Sequence, residues 1–194
     1  AGNGQNELMA ALSGEVIQSL PNDSIVFDDI CVAGMRVSER RAMGACFVPE
    51  ERYGHAAIKE MSLKDNALLT SSKSINLVKK GLLQFDAIND LTEKIIFDFD
   101  VRTTGSKMES GSLSGGNLQK FILGREILQE PGILIISQPT WGVDAGAALV
   151  LRKSLLELAA RGCAVLIISQ DLDEIFEICD RIAVLYQGLS LIHI

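Results

Sequence analysis

The sequence has few aromatic side chains, few histidines and no long apolar run. Aromatic residues make up 5% of its 194 residues, so its core must be aliphatic, as in most buried parallel sheets. It has only two histidines, and its cysteines show no CxxC spacing, which argues against a zinc site. We expect all four cysteines to be reduced, buried thiols: Cys31, Cys46, Cys163 and Cys179. No stretch approaches the ~18 apolar residues of a membrane span.

Positive charge is also in short supply. The chain has 18 lysines and arginines against 25 aspartates and glutamates, with a net charge of −7. This balance argues against nucleic-acid binding that depends on bulk charge. A phosphate ligand remains compatible with it, because backbone N–H groups at a helix N-terminus bind phosphate without side-chain charge. The hydrophobic fraction of 47% is enough for a sizeable core.

The second half of the sequence alternates short apolar strands with amphipathic helices. Strands are predicted over 133–137, 164–169 and 182–186, and the helices between them over 147–160 and 172–180. This order predicts a parallel sheet with right-handed crossovers and a ligand site at the carboxyl ends of its strands. A further buried strand is predicted over 45–48, stopped by Pro49.

The middle of the sequence shows helical spacing and no convincing strand. Val78, Leu82 and Phe85 begin a helical stripe that continues through Ile88, Leu91 and Ile95. We therefore predict a helical subdomain over 59–130, inserted between two parts of an α/β core, 1–58 and 131–194. The tail Leu189–Ile194 has no assigned element.

The sequence opens on a glycine loop that leads into a helix. Asn6 is the predicted cap, and Gly14 suits the left-handed position at the helix end. A strand normally precedes such a loop, so we expect the sequence to begin inside a domain, as an N-terminally truncated piece.

One short string combines small residues with a helix start. Ser114, Gly115 and Gly116 precede an apolar helical run, so their backbone N–H groups could contact a phosphate. A plain glycine-rich cap explains the same residues equally well. At the ends of two predicted strands stand Ser137-Gln138 and Ser169-Gln170.

Taken together, five strings resemble the motifs of the ATP-binding cassettes of ABC transporters. They occur in the family's order: AGNGQNEL, FVPEER, SLSGGNLQK, IISQPTWGVD and IISQDLDEI. The resemblance covers residues 1–188, and in detail it is to the second cassette of the tandem ATPases of bacterial sugar and nucleoside importers. It implies an α/β P-loop NTPase fold, with a parallel sheet core and an inserted helical subdomain.

The site residues that the resemblance implies depart from the family pattern. The nucleotide-binding positions are Gly2, Asn3, Gly4, Gln5, Asn6, Glu50 and Ser137. Family members carry lysine and a hydroxyl residue at Gln5 and Asn6, aspartate at Ser137, the catalytic glutamate at Gln138 and histidine at Gln170. Gln138 cannot accept a proton from water, and a missing base costs roughly 10²–10⁴ in rate. We therefore predict a degenerate site, with no catalytic residue and no metal ligand assigned in this chain.

The signature string of the family is nevertheless intact. It comprises Ser114, Gly115, Gly116 and Asn117, and Asp144 matches the family's D-loop. Because family cassettes pair head to tail, the resemblance implies that this signature completes the ATP site of a second cassette, in the same polypeptide or as a dimer mate. ATP and Mg²⁺ would be bound at that partner site.

The same resemblance implies partners and a location. The expected partners are transmembrane permease subunits and, indirectly, a substrate-binding lipoprotein, with no nucleic acid. The expected location is cytoplasmic, peripheral on the inner face of the bacterial plasma membrane.

Other interpretations of the sequence remain open. The chain could be a structural pseudo-cassette that binds no nucleotide, or a soluble cassette ATPase outside transport. Whether this chain hydrolyses ATP itself is also open. Arg36, Arg40 and Arg41 are interpreted as a solvated helix edge in preference to a phosphate site.

Overall fold

The computed structural model describes residues 2–17, 24–71 and 77–193. The helices within these ranges are α1 (Gln5–Ser13), α2 (Val37–Ala42), α3 (Leu63–Ser71), α4 (Phe85–Asp98), α5 (Gly115–Ile127), α6 (Ala145–Ala160) and α7 (Leu172–Ile178), with a 3₁₀ turn at Ser110–Ser112. The strands are β1 (Val26–Phe27), β2 (Ile30–Cys31), β3 (Ala45–Val48), β4 (Val78–Lys79), β5 (Leu82–Leu83), β6 (Ile133–Ser137), β7 (Ala164–Ile168), β8 (Ala183–Tyr186) and β9 (Leu189–His193). None of the described helices is long and apolar enough to cross a membrane.

The centre of the fold is a three-stranded parallel sheet in the order β3-β6-β7. The register pairs Ala45 with Ile133 and Ile133 with Ala164. These strands agree with the predicted parallel arrangement. Within the described ranges β7 has a neighbouring strand on one side only, and its Leu166 is 41% exposed.

Apolar residues cover both faces of this sheet because alternate side chains point to opposite sides. On one face, residues such as Val48 and Ile136 join a large apolar cluster that extends into α3, α4, α5 and α6. On the other face, Phe47 and Ile135 pack with Met9 of α1 and Phe27 of β1. The sheet is thus the shared wall of two apolar clusters.

The prediction that a third crossover strand, 182–186, joins the parallel sheet was wrong. β8 pairs antiparallel with β9, which is formed by the tail that had no predicted element. Gln187 and Gly188 connect the two strands with φ values of 48° and 76°. Two consecutive left-handed residues favour a tight hairpin, so the chain turns back at this point.

The segment 59–130, predicted to form a helical subdomain, also contains a hairpin that the sequence did not predict. β4 and β5 are joined through Lys80 and Gly81, whose φ values are 51° and 79°. Val78 and Leu82 lie in this hairpin, and only the later part of the predicted stripe, Ile88, Leu91 and Ile95, is buried in α4. The helical spacing matched by chance across a turn.

Several local predictions were also corrected. The cap of α1 is Gly4 rather than Asn6, whereas Gly14 does adopt the left-handed conformation, with φ 83°. Cys31 is exposed, Cys179 is half-buried, and Cys46 and Cys163 are buried.

Two of the three arginines of α2 and its cap are not solvated. The Arg40 side chain is fully buried and donates to the carbonyl oxygens of Ala11 (2.6 Å) and Leu12 (2.7 Å). Arg41 pairs with Glu126 at 2.7 Å. Both guanidiniums are therefore structural links, and only Arg36 is exposed as expected.

Candidate functional site

Two glutamines meet at the carboxyl ends of the central strands. Gln138 follows β6 with φ 51°, and its N–H donates to the Ile168 carbonyl of β7 at 2.7 Å. Its side-chain oxygen accepts a long hydrogen bond, 3.5 Å, from the Gln170 N–H. Gln138 is 7% exposed and Ser137 is 4% exposed. The sheet therefore brings Ser137, Gln138 and Gln170 together, as parallel strands predict.

The side chain of Gln5, the first residue of α1, folds back onto the glycine loop that precedes the helix. The Asn3 N–H donates to the side-chain oxygen of Gln5 at 2.9 Å. The β8–β9 turn lies against the same loop, where the Gly188 N–H donates to the Asn3 carbonyl at 2.9 Å. A cavity of about 460 Å³ beside it is lined by Gly2, Asn3 and Gly4, among others.

A second cavity, of about 800 Å³, lies between α1 and the segment that follows β3. Asn6, Glu50 and Ser137 line it, so the structure brings these three predicted residues into one space. Glu15, Glu50 and Glu51 all contribute carboxylates to its wall. Six of the seven predicted nucleotide-binding residues are thus divided between two cavities, whereas Gln5 lines neither of them. These assignments stay a prediction.

A magnesium-bound triphosphate does not fit this pair of cavities well. Among the described residues, neither cavity is lined by a lysine, and the larger one is lined by three glutamates together with Arg52 and His55. Carboxylates repel a polyanion at short range. The Asn3 N–H, which would have to serve a phosphate oxygen, already has an acceptor in Gln5. The Asn3 N–H is therefore not free for a phosphate oxygen. Among the described residues, no group of three or more potential metal ligands is present.

The signature segment, Ser114 to Asn117, differs from the glycine loop because it presents exposed backbone N–H donors. Ser114 caps α5, and its hydroxyl accepts hydrogen bonds from the Asn117 backbone (3.4 Å) and side chain (3.0 Å). The N–H groups of Gly115 and Gly116 have no acceptor within the described ranges, and Ser114 and Gly115 are exposed. The rest of α5 is buried from Leu118 to Ile127, so the positive end of its dipole is fixed and points outward.

Asp144 stands at the start of another helix. Its carboxylate accepts a hydrogen bond from the Ala147 N–H at 2.9 Å, and this bond lowers the pKa of Asp144. The residue is exposed. An ionised carboxylate is therefore presented at the N-terminus of α6.

Sequence reasoning missed two residues that organise these segments. Glu174 of α7 is 1% exposed and accepts hydrogen bonds from Thr140 (2.8 Å) and Ser169 (2.7 Å), which ties the loops after β6 and β7 together. Arg52 bonds the signature helix to the loop after β6. For Glu174 the sequence offered one signal, its spacing of three residues from the helix cap Asp171. For Arg52 it offered none.

A solved structure defines the class of this fold. The dimeric ATP-binding cassette MJ0796, in a post-hydrolysis state bound to ADP and Pi, matches with a TM-score of 0.82 over 99% of this chain and 80% of that chain. Its 16% identity limits the likeness to the fold. The chain has the mixed α/β fold of a P-loop NTPase cassette, which confirms the predicted fold class.

Sequence relatives then give the family. No protein-family model matches the sequence. The nucleoside import ATP-binding protein NupA of Lactococcus lactis subsp. cremoris is 37% identical over 96% of this chain and 37% of that protein. The glucose import ATP-binding protein TsgD13 of Haloferax volcanii is 35% identical over 97% of this chain and 34% of that protein. The chain belongs to the ATP-binding cassette family, and it spans about a third of the length of these curated relatives.

Proposed function

We propose that this chain is a nucleotide-binding domain of an ABC importer for nucleosides or simple sugars. The relatives named for nucleoside and glucose import support this assignment. In this role the domain acts on the cytoplasmic face of the plasma membrane, together with a second cassette and transmembrane permease subunits. A substrate-binding lipoprotein delivers the cargo and contacts the permeases, so its link to this chain is indirect.

Within that assembly the chain serves mainly the ATP site of its partner cassette. The observation that carries this proposal is the exposed α5 N-terminus, where the Gly115 and Gly116 N–H groups have no acceptor in the described part of the chain. ATP and Mg²⁺ at the partner's site supply the reactive phosphate. This chain contributes fixed N–H donors at Gly115 and Gly116 and a carboxylate at Asp144 on the facing surface. Its own site, with Gln5, Ser137, Gln138 and Gln170, is degenerate and does not hydrolyse ATP.

Substitution of the signature serine tests this role. In the complete assembly, Ser114→Arg places a bulky cation over the donor groups and removes the helix cap, so ATP hydrolysis should fall at least about 10²-fold, as when preorganised donors are lost. The measurement is steady-state phosphate release in reconstituted membranes.

A matched control adds the same side chain elsewhere. Ala160 lies at the exposed end of α6, ~24 Å along the helix from Asp144. Ala160→Arg should therefore leave ATP hydrolysis unchanged. Wild-type turnover in Ser114→Arg would refute the role of the signature in a partner site.

A second candidate is a structural pseudo-cassette whose own loop binds no nucleotide. The hydrogen bond from the Asn3 N–H to the Gln5 side chain favours it, because an internal acceptor takes the place of a phosphate oxygen. Calorimetric titration of Mg-ATP onto the complete protein, with the partner cassette disabled, should then give no heat. Gln5→Ala removes the internal acceptor and should allow weak, millimolar binding. Tight binding to the unmodified protein would exclude this candidate.

A further inference from the structure

Arg52 connects the signature segment to the loop that leads to Asp144. It lies four residues after β3 and is half-buried. Its Nε donates to the Gln119 side chain at 2.9 Å and one terminal nitrogen donates to the Gly115 carbonyl at 3.1 Å, both on α5. The other terminal nitrogen donates to the carbonyl of Trp141 in the loop after β6. One planar guanidinium thus holds two segments that are far apart in the chain.

Gln119 extends this connection on the buried side. It is 2% exposed, and its amide nitrogen donates to the Pro139 carbonyl at 3.1 Å. Arg52 and Gln119 therefore form a polar bridge between the first two turns of α5 and residues 139–141. We call this pair the Arg52–Gln119 bridge.

The first turn of α5 leaves space for the guanidinium. A β-carbon on Gly115 would lie 2.8 Å from the Arg52 terminal nitrogen. A side chain at this position would therefore push the Arg52 guanidinium away from the first turn of α5. The same residue offers an outward N–H group and an inward carbonyl.

We propose that Arg52 is a positioning residue that fixes the signature donors and the Asp144 carboxylate relative to each other. Trp141 lies three residues before Asp144, and Gly115 carries one of the free donors, so the bridge sets the spacing of the two groups on the facing surface. The proposal rests on the proposed function, in which both groups face a partner's triphosphate. A misplacement of about 1 Å in such a site can cost about 10²-fold in rate.

The test compares three variants in the complete reconstituted assembly. Arg52→Ala should lower kcat for ATP hydrolysis by about 10²-fold and leave KM for ATP within about twofold, because the partner's own loop determines ground-state binding. Arg52→Lys keeps the charge and part of the hydrogen bonding, so it should recover an intermediate kcat. Arg161→Ala removes an exposed arginine at the end of α6 and should behave as wild type.

Two results would overturn the proposal. One is a wild-type kcat in Arg52→Ala, and the other is a parallel loss in kcat and rise in KM in both Arg52 variants, which indicates a general structural role. Ser114→Arg, measured alongside, separates the two levels of inference. If Ser114→Arg abolishes turnover while Arg52→Ala does not affect it, only the role of Arg52 fails. If Ser114→Arg turns over normally, the proposed function fails and the role of Arg52 fails with it.

Discussion

At the scale of single residues, Gly14 is a position where the backbone leaves little choice of side chain. It ends α1 with φ 83°, and its N–H donates to the Ala10 carbonyl. A β-carbon there would lie 2.7 Å from the Met35 carbonyl oxygen and 3.0 Å from the Arg40 side chain. Backbone conformation and close approach therefore both require glycine.

Gly14→Ala should lower the free energy of unfolding by about 2–5 kcal/mol. The left-handed conformation accounts for about 1–2 kcal/mol, and the clash with a backbone carbonyl adds about 1–3 kcal/mol. Urea unfolding followed by circular dichroism measures this change. Gly162→Ala is the matched control, because Gly162 follows α6 with φ 97° but has open space around its β-carbon position. Equal losses in the two variants would show that the carbonyl contact costs nothing.

At the ends of elements, two residue-scale expectations agree with the structure, whereas the predicted cap Asn6 does not. Ser114 caps α5 as its position before two glycines indicates. Gln138 and Gln170 meet because neighbouring parallel strands end together. The hydrogen bond from the Asn3 N–H to the Gln5 side chain could not be predicted from the sequence, because it depends on the rotamer of Gln5 and on the exact path of the loop.

At the scale of elements, the sequence predicts a strand well when the strand is buried in a continuous apolar run. The bounds of β3 and β6 agree with the predicted 45–48 and 133–137. The two hairpins were missed because their turns, Lys80-Gly81 and Gln187-Gly188, lack the asparagine or aspartate that usually marks such turns. β8 pairs with β9 and not with β7. This pairing could not be predicted, because the periodicity of a strand does not show which other strand it pairs with.

At the scale of the whole molecule, a buried ionic network joins the helices α2, α3 and α5. Glu126 of α5 binds Arg41 of α2 at 2.7 Å and Arg125 at 2.9 Å, and accepts a hydrogen bond from Thr70 of α3 at 2.8 Å. The Glu126 side chain is fully buried. Burial alone would raise the pKa of Glu126, but the two guanidiniums outweigh it and the pKa is lowered. The carboxylate is thus ionised at neutral pH.

Glu126→Gln should cost about 3–5 kcal/mol of unfolding free energy at pH 7, since it leaves two guanidiniums without a counter-charge. A carboxylate whose pKa is lower in the folded state stabilises above its unfolded pKa of about 4.3, and this contribution is lost as the pH falls through the folded value. The difference between wild type and variant should therefore shrink below about pH 4. Urea unfolding at a series of pH values measures it.

The exposed Glu93 of α4 supplies the control for this network. Glu93→Gln should change the unfolding free energy by less than about 0.5 kcal/mol, as most surface substitutions do. A difference between wild type and Glu126→Gln that stayed constant down to pH 3 would contradict an ionised Glu126.

Within the part of the chain that the structure describes, β7 has no strand partner on its outer side, which has a practical consequence for handling this polypeptide. The outer edge of β7 presents backbone N–H and C=O groups beside the exposed Leu166. An edge of this kind can pair with a strand of another molecule. At high concentration, separate copies should stack through this edge into insoluble material. A lysine in place of Leu166 should act as a gatekeeper and raise solubility.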